Sequence, residues 1–310
     1  MSVRGNRGRI VDGVLPLDKP PGMTSNRILQ RVKGMYQARK AGHTGSLDPL
    51  ASGMLPICFG QATKLSAYLL GADKVYRVTA KFGVKTDTAD ADGQIVAESE
   101  LREVGRGVLE SALRRFRGEI QQIPPMYSAL KKDGKRLYEY AREGKEIPRD
   151  SRTVHIHEFE IDAYDPHKPT FEVRCSKGTY IRTLVEDVAE SIGTVAHVIA
   201  LRRLAVFPFR ASDLVRIEDL EAASGAGFAP LDAYLRPVDE VIADWPAVYL
   251  NRQESYYLRQ GHSVNNRPGP ESGLVRLYDE SRLFLGIGEV RLDGRIAPKR
   301  LFPNAAGSGA

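Results

Sequence analysis

Apolar and polar positions divide the chain into short strands and amphipathic helices in mixed order. Gly13–Leu17 is an apolar run that ends in the rigid turn Asp18-Lys19-Pro20-Pro21-Gly22-Met23-Thr24-Ser25. Ile28, Leu29, Val32 and Met35 then recur at helical spacing, with Thr24 or Ser25 placed to cap the helix. Leu55–Phe59 reads as a buried strand, Ala62–Leu70 as a short helix, and Lys74–Val84 alternates as a strand carrying Tyr76. Val108, Leu109, Ala112, Leu113 and Phe116 mark one face of a further helix. Strands at about 153–163 and 170–176 flank the turn Asp165–Pro169. Gly178-Thr179-Tyr180-Ile181-Arg182 opens a helix to Ile192, with Ile181, Leu184, Val185, Val188 and Ala189 inward. Ala196–Phe209 is mostly extended.

Three stretches depart from this texture. Gln121–Arg152 is broken by Pro124 and Pro125 and then turns basic and aromatic, so 124–152 reads as an insertion that ends in a helix. Ser212–Trp245 holds eight acids against two bases and reads, over 212–246, as an acidic connecting subregion. From Ala247 a helix (Gln253–Gln260) is followed by short alternating runs, with Asp293-Gly294 a hairpin turn signal. That pattern predicts a compact β-rich module over 247–303. A basic flexible tail at 1–9 and a frayed tail at 304–310 complete the organisation. The pattern predicts a mixed α+β fold with a small C-terminal β-module.

Composition narrows the class. With 310 residues, 42% hydrophobic and 27% charged, the chain has the make-up of a soluble globular protein with a sizeable core. Its two cysteines, Cys58 and Cys175, are far apart and form neither a disulfide framework nor a zinc motif, which suits a reducing cytoplasm. No apolar run approaches the roughly 18 residues that would span a bilayer, and the charged N-terminus has no apolar segment behind it. Net charge is +6, with nine Lys/Arg against two Asp in residues 1–40 and eight bases against five acids in 131–152. Separate basic stretches predict a polyanion touched at several places, and the aromatics among the bases of Arg136–Arg142 favour RNA.

The densest chemistry lies in Gly42-His43-Thr44-Gly45-Ser46-Leu47-Asp48-Pro49-Leu50-Ala51-Ser52-Gly53. Glycines let another molecule approach closely, and Pro49 biases Asp48 toward an extended backbone. Asp-Pro with flanking glycines is also common turn chemistry, and the residues alone favour a plain turn. Elsewhere there is no phosphate-binding P-loop and no G-x-S-x-G elbow. Thr86–Gly93 has the acids of a calcium loop, but Asp92 stands where the loop glycine belongs, so it reads as a polar connection. His155 and His157 share a strand face without a third ligand.

Five motifs in order resemble the TruB-type pseudouridine synthase family, whose bacterial members isomerise uridine 55 in the TΨC arm of tRNA. They are Leu17–Gly22, Gly42–Gly53, Val75-Tyr76-Arg77 with Phe82–Thr88, Cys175–Leu184, and Ala200-Leu201-Arg202-Arg203, and they cover most of residues 10–210. The resemblance implies a pseudouridine synthase fold over 10–211, with a mainly antiparallel central sheet and flanking helices, and a PUA-like RNA-binding β-barrel at the C-terminus. It implies Asp48 as the catalytic nucleophile and Arg182 as its partner, able to hold the carboxylate bidentately and keep it ionised. Tyr76 would stack on the target base, Tyr180 would contact the base or order the site, and Leu201 would wall the pocket. His43 would support the splayed nucleotides, and Lys19 would act through its turn or on a phosphate. The implied partner is tRNA, gripped by the 124–152 insertion and, through the C-terminal module, near the acceptor end. The enzyme is expected to be a cytoplasmic monomer without cofactor or metal. A non-catalytic RNA-binding or tRNA-folding protein on the same scaffold is the rival reading. A glycoside hydrolase or nucleosidase generally needs a second carboxylate, and the loop offers only Asp48.

Overall fold

The computed structural model describes residues 8–100, 103–265 and 269–302. The tail read at 1–9 lies outside them apart from Gly8 and Arg9, and 304–310 lies outside them entirely. Nine strands form the main sheet: β1 (Gly13–Lys19), β2 (Ala41–His43), β3 (Ser52–Phe59), β4 (Lys74–Phe82), β5 (Gly118–Gln122), β6 (Arg152–Ala163), β7 (Thr170–Cys175), β8 (Ala196–Val206) and β9 (Val215–Arg216). Their order is β9-β1-β3-β8-β4-β7-β6-β5, with β2 paired to β3. Only β9–β1 and β3–β8 are parallel pairs, so the sheet is mixed and mainly antiparallel, as the family resemblance implies. Helices α1 (Ser25–Met35), α2 (Arg106–Arg115), α3 (Ile181–Ser191) and α4 (Ile217–Gly225) supply the residues that cover one face.

The central strands are buried on both sides, which explains the unbroken apolar run in β3. Leu55, Ile57 and Phe59 face the helices together with Leu15 and Leu17 of β1. Met54, Cys58 and Val14 point the opposite way, into a second core. Successive strand side chains alternate faces, so a strand buried twice has no polar positions left to alternate. That second core also contains Ile287 and Phe302 of the C-terminal module. The module is a five-stranded sheet of β10 (Ala247–Tyr249), β11 (Val264–Asn265), β12 (Gly273–Tyr278), β13 (Phe284–Val290) and β14 (Arg295–Leu301), in the order β10-β12-β13-β14-β11. The curled sheet fits a PUA-like domain, and the Asp293-Gly294 turn joins β13 to β14 as the sequence predicts.

Some local expectations change. The helix read over Ala62–Leu70 is split into a 3-10 helix (Gly60–Lys64) and a short α-helix (Ser66–Gly71). The 212–246 segment supplies β9 and α4 to the larger body. Within the insertion, Lys131–Lys132 and Lys135–Arg136 pair as a small hairpin before the Leu137–Arg142 helix. Among the described residues, no helix is long and apolar enough to cross a membrane.

Candidate active site

Asp48 lies on the loop between β2 and β3, and the loop's backbone is fastened from three directions. Lys19, at the end of β1, is fully buried, and its ammonium donates to the carbonyls of Ala51 (2.6 Å), Pro20 (2.8 Å) and Pro49 (3.4 Å). Burial, partly offset by Asp48, lowers its pKa to about 8. Lys19 therefore fastens the loop through its backbone carbonyls. On the α1 side, Ser25 Oγ donates to the Leu47 carbonyl (3.0 Å) and accepts from the Leu47 N–H (2.8 Å). The helix cap is thus Thr24, whose side chain accepts from the Arg27 N–H, while Ser25 belongs to the loop. Beneath the loop, the buried Arg203 of β8 donates from Nε to the Met54 carbonyl (2.6 Å) and from Nη2 to the Gly45 carbonyl (2.8 Å).

Arg182, the second residue of α3, reaches Asp48. Its Nε lies 3.0 Å from Asp48 Oδ2. The expected bidentate fork does not form, because the other nitrogens are engaged elsewhere. Nη1 donates to the Thr88 carbonyl (2.6 Å) and lies 3.5 Å from Asp90 Oδ2, and Nη2 donates to the Tyr127 carbonyl (2.8 Å). This spread-out geometry makes Arg182 the tie between the loop, the Thr86–Gly93 segment and the start of the insertion. Nor is the Asp48 carboxyl held low. Desolvation by the surrounding protein raises its pKa and outweighs the pull of Arg182, while Asp90 adds a further upward push. The side chain still presents 41% of its surface to solvent, so the carboxyl is walled in by protein yet open where a substrate would enter.

The remaining site residues stand on neighbouring strands and at the start of α3. Tyr76 on β4 is cross-strand partner to Arg203, and Leu201 is partner to Val78, which puts Tyr76 and Leu201 in one buried cluster with Leu47. Tyr180 forms the N-cap of α3 and is gripped by Gln122. The Gln122 side chain accepts from the Tyr180 N–H (2.8 Å) and donates to its carbonyl (3.1 Å). His43 ends β2 with its Nδ1 buried and without a hydrogen-bond partner, and burial and then Arg203 push its pKa down, which favours the neutral ring.

Sequence reasoning missed Asp90, Gln122 and Arg203. Asp90 was visible only as one of several acids in Thr86–Gly93, read as a plain connection; it is buried and tied to Thr88 Oγ1 (2.6 Å) and the Asp92 N–H (3.1 Å). Gln122 left no signal, since glutamine is usually a surface residue. Arg203 stands in a quoted motif but carried no assigned role. His155 and His157 lie side by side, and His157 pairs with Asp73 at 3.0 Å. Among the described residues no cluster is arranged to hold a metal ion.

Residues 33–181 match the family model for the TruB family pseudouridylate synthase N-terminal domain. Residues 182–243 match the tRNA pseudouridylate synthase B C-terminal domain, and 246–302 match the pseudouridine synthase II TruB C-terminal model. A protein named tRNA pseudouridine synthase B from Nitrosococcus oceani is 50% identical over 97% of this chain and 98% of its own length. Its namesake from Pseudomonas aeruginosa is 49% identical over 94% of this chain and 96% of its own length. Among solved structures, an H/ACA RNP bound to a substrate RNA containing 2′-deoxyuridine superposes with a TM-score of 0.73 at 20% identity, covering 98% of this chain and 92% of that one. A Cbf5–Nop10–Gar1 complex gives 0.71 at 24% identity, covering 91% and 79%. At these identities the two structures establish the fold alone. The chain belongs to the TruB family of pseudouridylate synthases.

Proposed function

We propose that this enzyme isomerises uridine to pseudouridine at position 55 in the TΨC arm of tRNA, with Asp48 as nucleophile and no cofactor. The observation that carries the proposal is the Asp48–Arg182 pair at 3.0 Å on a loop anchored from three sides. A carboxylate oxygen attacks C6 of the uracil or C1′ of the ribose. The N1–C1′ bond breaks, the base turns while held, C5 bonds to C1′, the bond to Asp48 breaks to return the carboxylate, and the C5 hydrogen leaves as N1 regains a proton. Atoms balance without water or redox partner, so one nucleophile suffices. The raised proton affinity of Asp48 suits this task, since a more basic carboxylate is the better nucleophile once ionised.

The other residues act on the substrate's position. Tyr76 stacks on the target base, an interaction worth ~1–3 kcal/mol, with Leu201 as the pocket wall. Tyr180 orders the base edge from the start of α3, and neutral His43 supports the neighbouring nucleotides. Extruding a base from a folded arm costs a few kcal/mol, and phosphate contacts from the insertion offset it. There, Lys135, Arg136 and Arg142 lie over Tyr138 and Tyr140. The C-terminal module holds a more distant part of the tRNA, near the acceptor end. A hydrolase would need a free second carboxylate to activate water. Asp90, the acid beside Arg182, is buried with both oxygens engaged, which argues against that chemistry.

The test is tRNA transcript tritiated at uracil C5, because bonding of C5 to C1′ releases that hydrogen. Wild-type enzyme is expected to release tritium and Asp48→Asn to release none. No release from wild type, or release that survives Asp48→Asn, would overturn the enzyme reading or the role of Asp48 respectively.

A further inference from the structure

Among the described residues Arg203 is the largest fully buried side chain, at 1% exposure, and it has no direct part in the proposed bond-making steps. Burying a guanidinium is costly unless its protons are taken up. Here its guanidinium donates to two backbone carbonyls, Met54 at 2.6 Å and Gly45 at 2.8 Å, on opposite ends of the Asp48 loop. The adjacent Arg202 does something different, pairing bidentately with Asp18 at 2.9 and 2.7 Å near the surface. The backbone around Arg203 is fitted to the same loop. β8 pairs Arg203 with Gly53, which has φ of +95°, and a Cβ at Gly53 would run into the Arg203 carbonyl oxygen. Arg203 also faces Tyr76 across the β4–β8 ladder.

We propose that Arg203 is a positioning residue for the reaction: from beneath the loop its guanidinium ties Gly45 to Met54 and sets the place at which Asp48 meets a base held against Tyr76. The inference rests on Asp48 being the nucleophile. Arginine suits the position because its planar fork presents separate Nε and Nη2 donors to the two carbonyls, where a lysine offers a single ammonium. Its charge reaches the neighbours as well, helping to push down the pKa values of His43 and Lys19. Removing it should therefore alter both the geometry of the loop and the titration of His43.

Arg203→Lys, which keeps charge and most of the volume, tests the geometric part. Misplacing a reacting group by about 1 Å costs on the order of 100-fold in rate, so single-turnover tritium release should fall about that far while tRNA affinity stays within about threefold. Gly53→Ala attacks the same pairing from the other side and should give the same pattern, which keeps the test open if one variant does not fold. Arg203→Met should raise the titration midpoint of His43 followed by NMR, a change that a purely structural role does not produce. Wild-type turnover in folded Arg203→Lys, a loss confined to tRNA affinity, or an unmoved His43 midpoint in folded Arg203→Met would overturn the proposal. Asp48→Asn, run alongside, separates the two readings. An active Asp48→Asn sinks the nucleophile assignment, whereas an inactive Asp48→Asn beside a fully active Arg203→Lys sinks only the role of Arg203.

Discussion

Asp48 combines a carboxyl pushed up by its surroundings with an arginine that pulls it only part of the way back. The pH consequence follows from the sign. An acid with a raised folded-state pKa keeps its proton to higher pH than the ordinary value of 3.8, and the proposed mechanism requires the carboxylate. The acid limb of the single-turnover rate should therefore lie above 3.8, and Arg182→Gln should move it further up among variants that retain measurable turnover. A limb at or below 3.8 would contradict the burial argument. At Tyr76, truncation to alanine should suppress turnover while tRNA affinity changes little, because the ring holds one base among many contacts; a large affinity loss in filter binding would refute that. These residues were readable because their types stand in motifs. How Arg182 distributes its nitrogens was not, since Thr88, Asp90 and Tyr127 meet it only after the chain has folded.

Elements place these side chains, and their ends matter more than their middles. Lys19 closes β1 and supplies the ammonium to three carbonyls of the two loops around it. Lys19→Met would leave buried carbonyls without donors, at about 1–3 kcal/mol in stability. Chemical denaturation should show that loss together with slower turnover. Gln122, at the end of β5, plays the matching part for α3 by holding both backbone groups of Tyr180. Gln122→Ala should likewise cost about 1–3 kcal/mol and lower the rate more than the affinity; an unchanged melting temperature would show that water replaces the amide. Helix and strand periods were legible wherever one face is polar, as in α3. The twice-buried β3 was legible only as an apolar run, and the loop between β2 and β3 hid the short β2 strand altogether.

Across the whole molecule, the C-terminal sheet shares a core with the back of the catalytic sheet. Ile287 and Phe302 pack with Val14, Met54 and Cys58. Phe302→Ala should destabilise the protein by about 3–5 kcal/mol, and the two bodies should unfold in one transition by calorimetry; two separated transitions would show that the shared core does not couple them. By itself, the sequence determined the mixed α+β class, the C-terminal β-module, the basic stretches and the residue types proposed for the reaction centre. Each of these is carried by local periodicity, composition or a contiguous motif. Only the tertiary structure decided that Arg182 spends its guanidinium on four partners, that Asp90 joins it, that Gln122 holds Tyr180, and that Arg203 lies under the loop. The physical reason is distance along the chain: Arg182 stands well over a hundred residues from Asp48, and Arg203 meets Gly45 at a separation of 158. Contacts of that kind depend on strand order and on which face of the sheet each side chain takes, and neither is written in any local stretch.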